Sequence, residues 1–273
     1  MIRFRLGLVL LVALLLLALL AGAISQALGL DPEAQDLLAR FAPPSAEHPL
    51  GTDELGRDLL ARLLAGGRVS LAAGLATALL ATALGTGIGL LAAGRGGWLD
   101  ALLMRLADGL LALPALPLLV LLAAMDTSAI GLPRGETSAD VTRIVLILSA
   151  FGWVGVARLV RAAARSVLAR DWVRAARALG AGEARVLFRH VLPSLAPSIA
   201  VAASLTAAGA ILAESTLSFL GLGIQPPAPS WGNMLANAQD LVLSAPEVAI
   251  WPGLAIMLAV AGCTLLADGV RRH

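Results

Sequence analysis

Six apolar runs punctuate this chain, each about as long as the roughly 20 helical residues needed to cross a bilayer core. They are Leu6–Ile24, Val69–Ala93, Ala101–Ala124, Thr142–Val160, Leu195–Ala213 and Val248–Ala267. Polar stretches of unequal length separate them. The pattern predicts an all-α, polytopic membrane protein of about six transmembrane helices. It reads as an N-terminal transmembrane helix over 1–24, an outer segment over 25–67, a core of five spans over 68–268 and a short inner tail over 269–273. The first run follows Arg3 and Arg5, and Ala21-Gly22-Ala23 has the small residues of a signal-peptidase site. The run is long for a signal peptide, and an even span count needs it, so it is expected to stay as a membrane helix.

Polar and special residues inside the runs give the candidate pathway positions. Gly85 and Gly89 in the second run form a GxxxG pair, which lets two helix backbones approach closely. In the third run Arg105 and Asp108 stand three residues apart, close enough to pair on one helix face. Pro114 and Pro117 follow, and interior prolines bend or loosen a helix. Glu214 ends the fifth run on its outer side, where a carboxylate lines a pathway or is simply solvated. Asp108, Pro114, Pro117 and Glu214 are therefore the pathway or gate candidates. Before the second run, Leu55, Leu59, Leu60, Leu63 and Leu64 fall on one helical face and Arg57, Asp58 and Arg62 on the other. That spacing predicts an amphipathic helix lying at the outer surface. Between the fifth and sixth runs, Gly221, Gly223, Pro226, Pro227 and Pro229 break any helix, and Trp231 suits an interfacial position.

Composition narrows the class. The 273 residues are 59% hydrophobic, too apolar for a soluble domain of this size. Every basic side chain is arginine. With the N-terminus inside, fourteen arginines fall on inner segments and six on outer ones, which places both termini inside. The inner set includes Arg271 and Arg272. Arginines grouped beside spans suit membrane orientation and not nucleic-acid binding. Cys263, the single cysteine, sits in an apolar run as a small buried residue. The three histidines, His48, His190 and His273, all lie outside the apolar runs, so no catalytic Ser/His pair or metal cluster assembles at bilayer depth. An intramembrane enzyme is thus disfavoured. No catalytic, cofactor-binding or metal site is assigned. A phosphate-binding P-loop needs its lysine, and the chain has none.

The longest inner stretch, Ala169–Pro193, is polar, Arg-rich and helix-prone. Arg158, Arg161 and Arg165 recur at helical spacing, so the fourth span continues into the cytoplasm. Asp171 is placed to cap a new helix from about Trp172. Ala175, Ala176 and Ala178 give it a small-residue face, and Gly180-Ala181-Gly182 ends it. A second helix through Val186, Leu187 and Phe188 reaches Pro193. Such a loop suits docking into a groove of another protein, or lying on anionic lipid. A passive channel would not need it.

The stretch resembles the coupling loop by which permease subunits of bacterial ABC importers dock on their ATPases. In that pattern Glu-Ala-Ala is followed after three residues by Gly and then by a distal Leu-Pro. Ala175, Ala176, Gly180, Leu192 and Pro193 match, and Arg174 stands where the pattern has Glu. Leu50–Asp58 (LGTDELGRD), Leu110–Leu119 and Leu217–Met234 (LSFLGLGIQPPAPSWGNM) are similar to the C-type permease subunit of dipeptide, oligopeptide and nickel importers. The resemblance implies a coupling loop over 161–193 between the fourth and fifth spans, acting through Arg174, Ala175, Ala176, Gly180, Leu192 and Pro193. It implies a bacterial inner-membrane heterodimer with a B-type permease, two ATPase subunits that bind ATP and Mg, and an external substrate-binding protein. This chain would hold no cofactor. The cargo expected is peptide, with nickel or another small solute as the alternative. If Arg174 pairs with the ATPase groove, that groove must present an acid.

Overall fold

The computed structural model describes residues 2–128, 131–236, 241 and 244–271. Arg272 and His273, read above into the inner tail, lie outside these residues. The fold is helical, and the β-pairing found among the described residues is one isolated bridge, Thr52 to Asp58. The helices are α1 (Ile2–Leu28), α2 (Leu59–Arg95), α3 (Gly97–Ala112), α4 (Ala115–Ala124), α5 (Thr137–Leu168), α6 (Asp171–Ala178), α7 (Glu183–Val186), α8 (Leu192–Ser194), α9 (Ala196–Phe219) and α10 (Glu247–Arg271). Helices α1, α2, α5, α9 and α10 are each long and apolar enough to cross a membrane. The pair α3 and α4, bent by 87° between its two helices, is apolar enough to count as a sixth span if taken together.

Small residues set how these helices meet. Helix α1 runs antiparallel to α10, with Gly7 against the backbone of Gly262–Leu266 and Gly269 against Phe4. A Cβ on Gly7 would come within 2.6 Å of the Leu266 nitrogen, so only glycine allows this approach. The Arg3–Asp268 ion pair, 3.1 Å, places both ends of the chain at one end of the bundle. The GxxxG pair acts as its spacing predicts. Gly85 and Gly89 on α2 face Val156 and Val160 of α5, and a Cβ on either would stand 2.6 Å from a backbone oxygen, of Trp153 or Ala157.

Three local expectations are corrected. The third span is broken, not merely bent. Leu113 is extended (φ −83°, ψ 140°), the conformation that a following proline imposes, and the helix restarts after Pro114. Pro117 distorts nothing, because it sits in the first turn of α4, where backbone N–H groups have no intrahelical acceptor. Asp108 pairs with Arg158 of α5 at 3.4 Å, not with Arg105.

The amphipathic surface helix is likewise absent. Leu50–Asp58 forms a tight turn with positive φ at Gly51 and Gly56. Asp53 Oδ1 accepts from the Leu55 and Arg57 N–H groups at 2.9 and 3.0 Å, and Asp58 caps α2 through the Ala61 N–H at 2.7 Å. Helix α2 starts only at Leu59 and runs 37 residues, about 55 Å at 1.5 Å per residue, straight through the second span. Arg57 and Arg62 are buried because each finds acceptors in the turn. Their Nε atoms lie 2.7 and 3.4 Å from Asp53, and Arg62 also donates to the Pro32 carbonyl at 3.1 Å. The two arginines thus neutralise and cover a carboxylate rather than face water.

Candidate functional site

Helix α5 carries the chain out of the bundle at the end that holds Arg3 and Asp268. Its exit is fixed by a charge clamp. Arg161 donates through Nε and Nη2 to the buried Asp100 of α3, and Arg165 adds a further hydrogen bond to the same carboxylate. A bidentate guanidinium on a carboxylate is strong and directional, so it sets the angle between α3 and α5. The chain then turns at Ala169–Arg170, and α6 begins at Asp171. Asp171 is thus the first helical residue and not the cap expected for it; the cap position falls on Arg170, whose side chain makes no cap hydrogen bond. Asp171 occupies the first turn, where a negative charge suits the helix dipole.

Helix α6 ends in a Schellman motif. Ala181 N–H bonds to the Ala176 carbonyl at 3.0 Å and Gly180 N–H to the Arg177 carbonyl at 2.9 Å. Gly180 takes φ +88°, which L side chains rarely adopt. Arg177 and Glu183 pair across the turn at 3.1 Å. The loop is anchored by Val173, Val186 and Val191, all fully buried in a cluster with Leu90, Val160 and Leu195. Leu187 packs against Gly94 at the end of α2. Leu187–Val191 form a π-helical turn, closed by the Leu192 N–H on the Leu187 carbonyl. Pro193 follows. It lacks an N–H for the residue four back and its ring crowds that carbonyl, which a wider turn accommodates.

Among the arginines that the loop turns outward stand three large apolar side chains. Leu179 is 89% exposed, Phe188 65% and Trp172 43%. Trp172 meets His190 edge-on at 6.0 Å. Ala175, Ala178, Gly180 and Pro193 are exposed beside them, while Ala176 and Leu192 are half-buried. Arg174 is exposed and folds back, donating to the Ala169 carbonyl at 3.1 Å and standing 3.5 Å from Asp171. The six residues that the resemblance singled out thus share one protruding loop. Sequence reasoning did not single out Leu179, Trp172 or Phe188 as exposed apolar side chains. Their signal was available, since Val173 alone on α6 turns inward and an apolar Leu179 directly before a glycine turn has no bundle to bury in.

The pathway candidates do not converge. Asp108 lies toward the end bearing the loop, Glu214 lies at the opposite end, and Pro114 breaks the span between α3 and α4. Glu214 is not solvated. It is fully buried and accepts from the Ser218 hydroxyl at 2.7 Å. Nearby, Asp140 and Arg143 of α5 form a second buried ion pair at 3.0 Å that sequence reasoning did not single out. Leu119, Phe151, Gly152, Thr206, Gly209 and Ala213 line a largely apolar groove between α4, α5 and α9.

The chain matches the model of the binding-protein-dependent transport system inner membrane component over residues 85–273. It is 37% identical to the oligopeptide transport system permease protein OppC of Mycobacterium bovis over 270 residues, 99% of this chain and 90% of that one. It is 40% identical to the glutathione transport system permease protein GsiD of Pectobacterium atrosepticum over 228 residues, 84% of this chain and 72% of that one. In fold it is similar to a chain of the MetNI methionine ABC transporter in an inward-facing conformation, with TM-score 0.62 and 18% identity over 77% of this chain and 95% of that one. A helical bundle with five or six candidate spans, a protruding loop between the fifth and ninth helices, and a family model covering most of the length agree: the chain belongs to the binding-protein-dependent transport system inner membrane components, the permease subunits of ABC importers.

Proposed function

We propose that this permease is the C-type half of the translocation pathway of a peptide importer, with the 161–193 loop as its coupling element. The observation that carries this is the loop itself: three buried valines fix it to the bundle while Leu179, Phe188 and Trp172 are left facing out. Bare apolar side chains on a rigid support are what a partner's groove covers. An ATPase subunit that binds ATP and Mg would take the loop in that groove, with Arg174 meeting an acid. The arginine distribution puts the loop and both termini in the cytoplasm of a bacterial inner-membrane protein. In this reading the first helix is retained and packs on α10, the 25–67 segment lies outside, and a B-type permease completes the pathway. An external binding protein delivers cargo, and ATP turnover drives alternating access. Peptide cargo is supported by the names of relatives that cover nearly the whole chain. The groove between α4, α5 and α9 carries no charged side chain, which suits a cargo of varied side chains.

The test is reconstitution of this chain with its B-type partner, two ATPase subunits and binding protein in vesicles. ATP-dependent uptake of a labelled dipeptide, and copurification of the ATPases through this chain, are expected. A complex that takes up nickel and not peptide would move the assignment to the metal importers. Uptake without ATPase subunits would make it a channel.

A further inference from the structure

The stretch Leu217–Met234 folds as a cap over the ends of α2, α5 and α9 farthest from the coupling loop, and its polar groups are used in a regular way. Ser70 of α2 accepts the Trp231 N–H at 3.1 Å, Ser218 of α9 accepts the Ile224 N–H at 3.0 Å, and Ser230 accepts the Asn233 N–H at 3.1 Å. Each hydroxyl therefore keeps its proton for another acceptor. For Ser218 that acceptor is Glu214, which takes its proton at 2.7 Å and also accepts from Ser215 at 3.5 Å. The buried carboxylate thus orients Ser218 of α9, and Ser218, Ser70 of α2 and Ser230 each hold a backbone N–H of the cap.

Packing adds to this lock. Trp231 Nε1 donates to the Leu63 carbonyl at 3.0 Å, and its ring lies on Gly67, where a Cβ would stand 2.9 Å from the ring. Asn233 Nδ2 ties the cap to itself through the Ile224 and Ala228 carbonyls at 3.2 and 2.8 Å. On α5, Asp140 accepts the Gln225 N–H at 3.1 Å and Arg143 donates to the Gly223 carbonyl at 3.2 Å.

We infer that Glu214 is a positioning residue that locks the 220–234 cap to α2 and α9, so that the cap travels with those helices as one rigid body and is not a gate. A buried network that satisfies so many backbone groups has one low-energy arrangement, and opening it would strand all of them together. The inference rests on the transport reading above for the cycle in which the cap is carried.

Arg68 on α2 and Pro226 on the cap are exposed and stand outside the network. Nitroxide labels at Arg68→Cys and Pro226→Cys in the assembled importer report their separation by pulsed spin resonance. One narrow distance is expected, the same in the resting complex and in the complex held with ATP and binding protein, while uptake by the labelled complex continues. A shift of that distance between the two states, with uptake intact, overturns the inference. Glu214→Gln is expected to broaden the distance distribution. The amide replaces one carboxylate acceptor by an N–H donor and removes the negative charge, so the Ser218 proton loses its strong acceptor. A distribution as narrow as with Glu214 would show that the carboxylate is not the lock. This second comparison needs no transport, so it judges the lock even where loss of uptake would count against the transport reading instead.

Discussion

Replacing Gly180 by valine tests whether the coupling loop needs its left-handed turn. The φ of +88° costs an L-residue about 1–2 kcal/mol, and more for a β-branched one. No heavy atom lies within 4 Å of a Cβ built there, so the cost is conformational and not a clash. A penalty of about 1–2 kcal/mol lowers the population of the docking geometry by roughly 5–30-fold. The ATPase must overcome that penalty on binding, so its Kd should rise by the same factor. The bundle should be unaffected, because the turn stands outside the valine cluster that anchors the loop. Gly182 is the control. It has φ −67° and ψ 154°, open to any residue, and equally free space around its Cβ. Titrating purified permease with ATPase subunit should rank Gly182→Val near the native chain, Gly180→Asn slightly weaker because asparagine tolerates positive φ, Gly180→Ala weaker still and Gly180→Val weakest. If Gly180→Val binds normally, or Gly182→Val loses as much, the turn is not what positions the loop.

Leu179→Ala should weaken ATPase binding by roughly tenfold or more, since fully burying a leucine contributes about 1.5–3 kcal/mol, and the thermal midpoint of the isolated permease should not move. Arg174→Glu should change that midpoint very little, because an exposed pair such as Arg174–Asp171 contributes about 0–1 kcal/mol. It should nonetheless weaken ATPase copurification, with recovery when an acid in the partner's groove is changed to a base; unaltered assembly would show that position 174 is solvated in the complex. Asp100→Asn should lower the thermal midpoint in detergent by an amount equivalent to about 1–3 kcal/mol, reduced because Arg165 is half exposed. An unchanged midpoint would mean the clamp on α5 is incidental.

The helical membrane class, the GxxxG contact, the continuation of α5 beyond its apolar run and the Gly180 turn were all legible in the sequence. Each depends on a few neighbouring residues: a run length, a small-residue spacing, a glycine after a short helix. The errors arose where distant residues decide the outcome. Arg57 and Arg62 look solvated by helical periodicity, and are buried because Asp53 and the Pro32 carbonyl fold over them. Glu214 looks interfacial by its place in the run, and is enclosed with Ser215 and Ser218 donating to it where the following cap folds back over α9. Asp108 chose Arg158 on another helix over the nearer Arg105. The exposed apolar patch of the loop was half visible. Spacing marked the alanines and the glycine, but which apolar side chains stay bare follows only once Val173, Val186 and Val191 are seen to take the inward places.

The coupling role itself is tested most directly by a photo-crosslinking amino acid at position 179 in the complete importer. The account expects an adduct with the ATPase subunit, formed in the assembled complex and lost when the ATPases are stripped away. Adducts with lipid alone, or with the external binding protein, would contradict it.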